Sequence, residues 1–298
     1  MSLTNNLVSI WSFNNSWNDV HGSNHGSAVG ATFDETNKKL GVASANVDGI
    51  DDYINCGNNA SVRPASAITL MAGVRREGAG AGSLPGVITI NGGTDVATGY
   101  ILCLTSAGKV RFYIWNGSFV YAESNDVLTN GQWHQIFARW DGSEVALWID
   151  NVKQTITATS AGVTYTGANE LNIGVYNRQS AGSYTDGQLD ECGLWNRALT
   201  TDEMTELYNS GNWREYPFYI EADITESITA TETPSSNYAT AAAQTETANA
   251  TETEELSKVT LVDIIEAISA ADTSYAALLG VIMRSYKSLY LKSGRFRR

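Results

Sequence analysis

Cysteine and proline are scarce in this chain of 298 residues, with three of the one and four of the other. Three thiols, Cys56, Cys103 and Cys192, cannot all pair within one chain, and their wide spacing matches no zinc pattern. A disulfide framework and a zinc module are therefore excluded. No uninterrupted apolar run approaches the ~20 residues that a membrane-spanning helix needs. The amino end, MSLTNNLVSIWSF, carries no basic leader, apolar core or cleavage site, so no Sec-type export signal is expected there. Positive charge is also short. Lys and Arg number 19 against 32 Asp and Glu, a net charge of −13, which repels phosphate backbones and argues against nucleic acid as the ligand. Neither a P-loop, a dinucleotide fingerprint nor a Gly-x-Ser-x-Gly elbow is present.

What is there is unevenly distributed. Residues 1–220 hold 21 acids and 12 bases, and all eight tryptophans lie at or before Trp213. Residues 221–255 hold eight acids (Glu221, Asp223, Glu226, Glu232, Glu246, Glu252, Glu254, Glu255) and no base, in a stretch of Thr, Ala, Glu and Ser. Low hydrophobicity with charge of one sign cannot build a core, so 218–255 is expected to be an extended linker or stalk. From Leu256 apolar residues recur at helical spacing (Leu261, Ile264, Ile265, Ile268, Tyr275, Leu278, Leu279, Ile282), and the chain ends on a basic run from Lys292 to Arg298. That pattern predicts an amphipathic helical segment over 256–298 that needs a partner to cover its stripe.

The first 217 residues read as all-β, because short alternating runs rich in aromatic and β-branched residues are separated by Gly, Asn and Asp. Many short strands at this spacing suggest a sandwich or barrel. The clearest hairpin is Lys109–Trp115, then Asn116-Gly117, then Ser118–Ala122. A two-residue type I′ turn at Asn116-Gly117 would pair Ile114 with Phe119 and Phe112 with Tyr121 on a core face. Arg111, Tyr113 and Trp115 would fall on the other. Strands over Trp133–Trp140 and Glu144–Asp150 follow, joined at Asp141-Gly142. A short helix is expected after Leu199, with Thr200 or Thr201 as cap, Met204, Leu207 and Tyr208 as its apolar stripe, and Gly211 as its close.

Four blocks of this region carry a family resemblance. Asn130-Gly-Gln-Trp133 through Asp141-Gly142, with Ala-Leu-Trp148-Ile-Asp150-Asn after it, resembles the central strands of laminin G-like domains. Gly187-Gln-Leu-Asp190-Glu191 through Arg197-Ala-Leu199, with Glu203 and Leu207-Tyr208 following, resembles their closing strand and helix. Trp11-Ser-Phe13, the stretch from Asp19 to Gly30, and Val47-Asp48-Gly49-Ile-Asp51-Asp52-Tyr53-Ile54 are similar to their opening strands. The resemblance covers roughly residues 7–217. It implies a concanavalin A-like jelly roll, two curved antiparallel sheets with a concave face. That fold hosts lectins, glucanases and scaffold domains alike, so it leaves function open.

The resemblance also implies a structural calcium between a sheet edge and an N-terminal loop. Asp19, beside the loop from His21 to Gly26, and Asp190 match the family's positions, and Asp48 and Asp51 are further oxygen donors. His21 and His25 are four apart, but Gly22 and Gly26 argue against a helix presenting both to zinc. Glu221-Ala-Asp223-Ile-Thr-Glu226 is similar in spacing to the catalytic strand of laminarinase-type glucanases. It follows the closing helix and opens the acidic stretch, however, so it reads as linker and the chain is not expected to be an enzyme.

Glycan binding needs aromatic faces for sugar rings and planar polar groups for hydroxyls. Arg111, Tyr113, Trp115 and Asn116 offer one such patch, and Tyr176, Arg178 and Tyr184 a second. The bland alternative is that these aromatics pack against neighbouring loops. A lectin-like domain without an export signal, followed by a stalk and an amphipathic basic end, suits a phage virion protein of fibre or decoration type. Such a protein is made in the cytoplasm, binds a cell-surface glycan, and joins other virion proteins or its own copies through 256–298. A purely structural decoration protein and a glycan-cleaving enzyme are the alternatives.

Overall fold

The computed structural model describes residues 2–91, 98–167, 169–176 and 182–218. Apart from Phe218, the expected stalk (218–255), the expected helical segment (256–298) and the Glu221–Glu226 stretch lie outside them, as does Arg178. Among the described residues the elements are strands β1 (Leu7–Trp11), β2 (Ser27–Val29), β3 (Thr32–Asp34), β4 (Ser44–Asp48), β5 (Tyr53–Asn55), β6 (Ile68–Arg76), β7 (Gly86–Asn91), β8 (Tyr100–Leu104) and β9 (Lys109–Trp115). They continue as β10 (Phe119–Val127), β11 (Trp133–Trp140), β12 (Glu144–Ile149), β13 (Val152–Lys153), β14 (Ala158–Thr159), β15 (Glu170–Ile173), β16 (Val175–Tyr176), β17 (Ser183–Tyr184), β18 (Asp186–Trp195) and helix α1 (Thr201–Tyr208).

The strands form two sheets, as the all-β jelly-roll expectation requires. One runs β13-β12-β11-β6-β18-β4-β3, with β1 on β18 and β14 on β12. The other runs β10-β9-β8-β7-β15-β5-β2, with the β16–β17 pair at its side. Between them Trp11, Phe13, Tyr100, Phe112 and Trp140 are fully or almost fully buried with Leu, Ile and Val from both sheets. Each such side chain contributes roughly 1.5–3 kcal/mol of burial free energy. The buried indoles also place their N–H groups. Trp11 donates to the Asn24 carbonyl at 2.7 Å and Trp140 to the Ser160 carbonyl at 2.8 Å.

The two outer faces differ, and the sequence pattern shows why. In β6, Leu70, Ala72 and Val74 face the inter-sheet core, while Met71 points away from it into a second apolar cluster. That cluster joins Phe137, Trp148 and Trp195 to Leu199, Met204 and Leu207 around α1, and Phe218 closes over it. A strand covered on both faces reads as a nearly continuous apolar run, as Ile68–Val74 does. In β9, by contrast, Val110, Phe112 and Ile114 are buried in the core, and polar and aromatic residues alternate with them. The outer face of the second sheet carries a smaller apolar cluster of Ile101, Cys103 and Tyr113.

The helix obeys its sequence signals at the start and departs at the end. Thr200 caps it, accepting from the Glu203 N–H, while Glu203 accepts from the Thr200 N–H, a reciprocal capping box. Met204 and Leu207 are buried. Asn209 rather than Gly211 closes the helix, at φ 46°, because asparagine tolerates the left-handed conformation and sits two residues earlier.

The β9–β10 hairpin corrects the expected register. Trp115 pairs with Phe119, Ile114 with Val120, Tyr113 with Tyr121 and Phe112 with Ala122. The loop is three residues, Asn116 to Ser118. A type I′ turn needs two positive φ angles, and here only Gly117 of that pair has one, at 105°. Asn116 instead folds its side chain back, its Oδ1 accepting from the Ser118 N–H and Oγ at 3.3 Å each. A one-residue slip exchanges the faces of a whole strand. Val120 and Ala122 therefore take the inward positions, and Phe119 and Tyr121 turn outward.

Candidate functional site: an aromatic platform on the open sheet face

Outward-facing residues of β8, β9 and β10 build one continuous surface. Trp115 and Phe119, paired across the hairpin, meet at 4.9 Å between ring centroids in an edge-on arrangement. Phe119 meets Tyr113 at 5.5 Å, and Tyr113 meets Tyr121 at 4.9 Å. Phe119 and Tyr121 are 42% and 39% exposed, far more than aromatic rings that merely pad a sheet, whereas Tyr113 is 8% exposed and serves as the floor. Beside it on the neighbouring strand lie Ile101 and Cys103, in one cluster with Tyr113, and Leu84 and Tyr176 pack against that cluster.

A charged cluster borders the rings. Arg111 donates from Nε to Glu123 at 2.5 Å and from Nη1 to the Tyr113 hydroxyl at 3.0 Å, and its guanidinium lies 4.9 Å from the Tyr121 ring centre. Lys109 donates to the other Glu123 oxygen at 3.1 Å. Burial would push the Glu123 carboxyl up, but the hydrogen bonds from Arg111 and Lys109 outweigh it and hold the group below its usual range. Burial pushes the Tyr113 phenol up, against the Arg111 hydrogen bond.

The structure therefore brings Arg111, Tyr113 and Trp115 to one face, as expected, and places Asn116 at the loop, where its Nδ2 donates to the Ser160 hydroxyl at 2.9 Å. The two patches that the sequence leaves as alternatives are neighbours, since Tyr176 packs into the cluster that Tyr113 floors. Tyr184 lies on the paired strand, opposite Val175. Lys109, Phe119, Tyr121 and Glu123 complete the surface. Lys109 follows from alternation along β9, whereas the membership of Phe119, Tyr121 and Glu123 was hidden by the turn type, and the three-residue loop is the signal that would have disclosed it.

The acidic residues expected to hold calcium separate into three places. Asp19 is buried, and its carboxylate accepts from the backbone N–H groups of Ile10, His21, Gly22 and Asn24 at 2.8–3.1 Å. It organises the His21–Gly26 loop with its lone pairs already engaged. Asp190 is fully buried and accepts from the backbone N–H groups of Lys39 and Leu40, from a distant segment, and of its own neighbour Glu191, at 2.9–3.1 Å. Each of the two is thus taken up by backbone N–H groups of its own. Asp48 and Asp51 do cluster, with Asp52 as a third member, their oxygens all within 4.8 Å of one another. Burial, aided by Asp48 and Asp51, pushes the Asp52 carboxyl up. Three converging carboxylates are the donor chemistry that a hard divalent cation takes, so this turn could hold calcium.

Two of the three histidines, His21 and His134, play structural parts. His21 bonds the Tyr216 hydroxyl and the Leu7 carbonyl, each at 3.1 Å, and His134 bonds Asp150 at 2.7 Å.

A two-sheet jelly roll with one outer face sealed by a helix and the other bearing aromatics defines a concanavalin A-type sandwich. The chain belongs to the concanavalin A-like lectin/glucanases superfamily, whose laminin G-type family model matches residues 48–205, just over half of its length. Comparison with curated proteins finds no match.

Among solved structures the chain is similar to domain 4 of AbnA, an extracellular arabinanase from Geobacillus stearothermophilus crystallised with arabinotriose. The identity is 16% and the TM-score 0.50, over 67% of this chain and 97% of that one. It is similar also to the binding domain of Paraclostridial Mosquitocidal Protein 1, at 16% identity and TM-score 0.55, over 70% of this chain and 53% of that one. A third is the receptor-binding domain of botulinum neurotoxin mosaic serotype C/D, at 10% identity and TM-score 0.52, over 70% of this chain and 51% of that one. At these identities the likeness is one of fold.

Proposed function

We propose that residues 1–217 form a non-enzymatic glycan-binding module whose sugar face is the Trp115–Phe119–Tyr121 platform. The observation that carries this reading is the pair of half-exposed rings, Phe119 and Tyr121, held by Tyr113 and Trp115 beside hydrogen-bonding groups. Sugar rings present apolar C–H faces that pack on aromatic surfaces, and their hydroxyls need planar polar partners at the edge. The fold neighbours support the same reading, being a domain in complex with arabinotriose, a binding domain and a receptor-binding domain.

A non-catalytic role is favoured by the chemistry of the platform. Glycoside hydrolysis uses two carboxylates flanking the bond, about 5 Å apart in retaining enzymes. Among the described outward residues of β8, β9 and the paired start of β10, Glu123 is the one carboxylate, and it is committed to Arg111 and Lys109. A broad glycan array with the full chain tests the proposal. Binding that disappears in the Phe119→Ala/Tyr121→Ala double variant supports it, and silence of the parent chain refutes it.

The finer setting that we propose is display on a phage virion, as a fibre or decoration protein anchored through 256–298. The order of jelly roll, acidic 221–255 and amphipathic 256–298 with a basic end supports that layout. Finding the chain by mass spectrometry in purified particles checks it, and recovery outside particles alone counts against it. The same particles with no sugar binding would favour a purely structural decoration role.

A further inference from the structure

We infer that Glu123 sets the charge selectivity of the platform, so that it takes neutral glycans and rejects anionic ones. The inference rests on the glycan-binding reading above and names the class of sugar.

The two cations on the outward positions of β8, β9 and the start of β10 are Lys109 and Arg111. Left alone, a lysine and an arginine beside aromatic rings would make a site for sugar carboxylates or sulfates. Glu123 prevents that. It lies directly opposite Arg111 in the strand register, and its two oxygens take one cation each, Arg111 at 2.5 Å and Lys109 at 3.1 Å. Its side chain is 14% exposed, against 32% for Lys109 and 28% for Arg111, so Glu123 is the most enclosed member of a cluster that borders solvent. Arg111 is further fixed by the Tyr113 hydroxyl and by stacking over Tyr121. The guanidinium thus extends the stacking surface rather than projecting as a free hook.

What the cluster still offers is mixed. Glu123 presents acceptor lone pairs, and Lys109 and Arg111 present the N–H groups left over. A sugar hydroxyl donates and accepts at once and can satisfy both kinds of group. A carboxylate or sulfate can only accept, and to reach either cation it must come close to the Glu123 charge. The acidic surroundings, 21 acids against 12 bases over residues 1–220, act in the same direction. An unbranched neutral chain lying along Phe119 and Tyr121, two residues apart on one strand, with its hydroxyls toward Glu123 and Arg111, fits both the rings and the charges.

The test is calorimetric titration of the full chain with neutral probes (arabinohexaose, cellohexaose, laminarihexaose, a galactan hexaose) and anionic ones (hexagalacturonate, sialyllactose). The parent is expected to bind at least one neutral probe and neither anionic probe, with affinity steady as NaCl rises from about 0.05 to about 0.5 M. Glu123→Gln, which frees both cations, is expected to gain roughly tenfold in affinity for hexagalacturonate or sialyllactose, and that gain should vanish at high salt. Lys109→Gln/Glu123→Gln removes one charge of each sign and should lose most of the gain. The salt series on the parent chain needs no variant to fold. Anionic probes bound as tightly as neutral ones, or neutral binding that falls tenfold with salt, would overturn the inference while leaving glycan binding intact. A Glu123→Gln variant with a parental near-UV spectrum and parental selectivity would also overturn it. No binding of any probe, and a silent array, would instead remove the reading on which it rests.

Discussion

Raising the pH through neutrality is expected to weaken the jelly roll, and Asp190 is the main reason. Its carboxyl sits on β18 with no exposure, and burial pushes it from its ordinary 3.8 up to about 7, against the lowering effect of the Leu40, Lys39 and Glu191 N–H groups. Glu215 nearby adds to the rise. Its neighbour Glu191, buried at a β-bulge with φ 45°, is raised too, by burial first and then by the charges of Asp190 and Glu215.

In the unfolded chain Asp190 gives up its proton near its ordinary value, whereas in the folded chain it keeps the proton until about pH 7. The folded state therefore binds more protons over that window, and stability falls as pH rises through it. A difference of about 3 units at ~1.4 kcal/mol each amounts to about 4 kcal/mol, absent below about pH 4 and fully felt above about pH 7. Urea unfolding of the full chain at fixed pH values, followed by tryptophan fluorescence, reads this directly. Trp213 is a suitable reporter, since its ring lies so close over Gly73, the strand partner of Asp190, that a Cβ there would strike it. Asp190→Asn should start lower at pH 5, by about 1–3 kcal/mol, because an amide nitrogen cannot accept from a backbone N–H. It should then vary much less with pH. A flat parental profile between about pH 5 and about pH 8 would refute the reasoning, as would an equally steep variant.

Other outcomes follow from features of the same domain. Thr200→Ala removes one half of the capping box and is expected to cost about 1 kcal/mol, read as a lower midpoint in urea with an unchanged slope. Adding calcium should raise the melting temperature through Asp48, Asp51 and Asp52, and Asp51→Asn should abolish that rise; no response in the parent would remove the cation from this turn. Cys56, Cys103 and Cys192 are buried with their thiols pushed up by burial, so a thiol reagent should label none of them in the native protein and all three in urea. Gly73→Ala should be destabilising out of proportion to one methyl group, because the new Cβ meets both the Trp213 ring and the Asp190 carbonyl.

The fold was largely legible because its signals are redundant. The central strands, with Trp133–Trp140 paired to Glu144–Ile149, are marked by alternation, by flanking Gly142 and by family resemblance together. Thr200 and Glu203 announce the helix by a reciprocal pattern that few other arrangements produce. The site was only half legible. Arg111, Tyr113 and Trp115 follow from alternation along one strand, but Phe119 and Tyr121 depend on the register of its partner. Register hung on one loop residue, since Asn116-Gly117 satisfies a two-residue turn and a three-residue loop about equally well in sequence. The acidic residues misled for a related reason. Composition shows a carboxylate but not its partners, and Asp19 proves to be occupied by four backbone N–H groups, while Asp52 completes a cluster that only folding assembles.

Covering one face of the sandwich with α1 while the rings of Phe119 and Tyr121 stay half-exposed on the other separates two jobs that many domains must perform with the same residues. Changes around Met71, Trp148 or Leu207 disturb the packing of α1. The half-exposed rings of Phe119 and Tyr121, by contrast, lie outside the core between the sheets, and the loop from Asn116 to Ser118 is exposed. The hairpin is therefore a region where recognition can be rewritten, by nature or by a library of variants, at little cost to the scaffold that presents it.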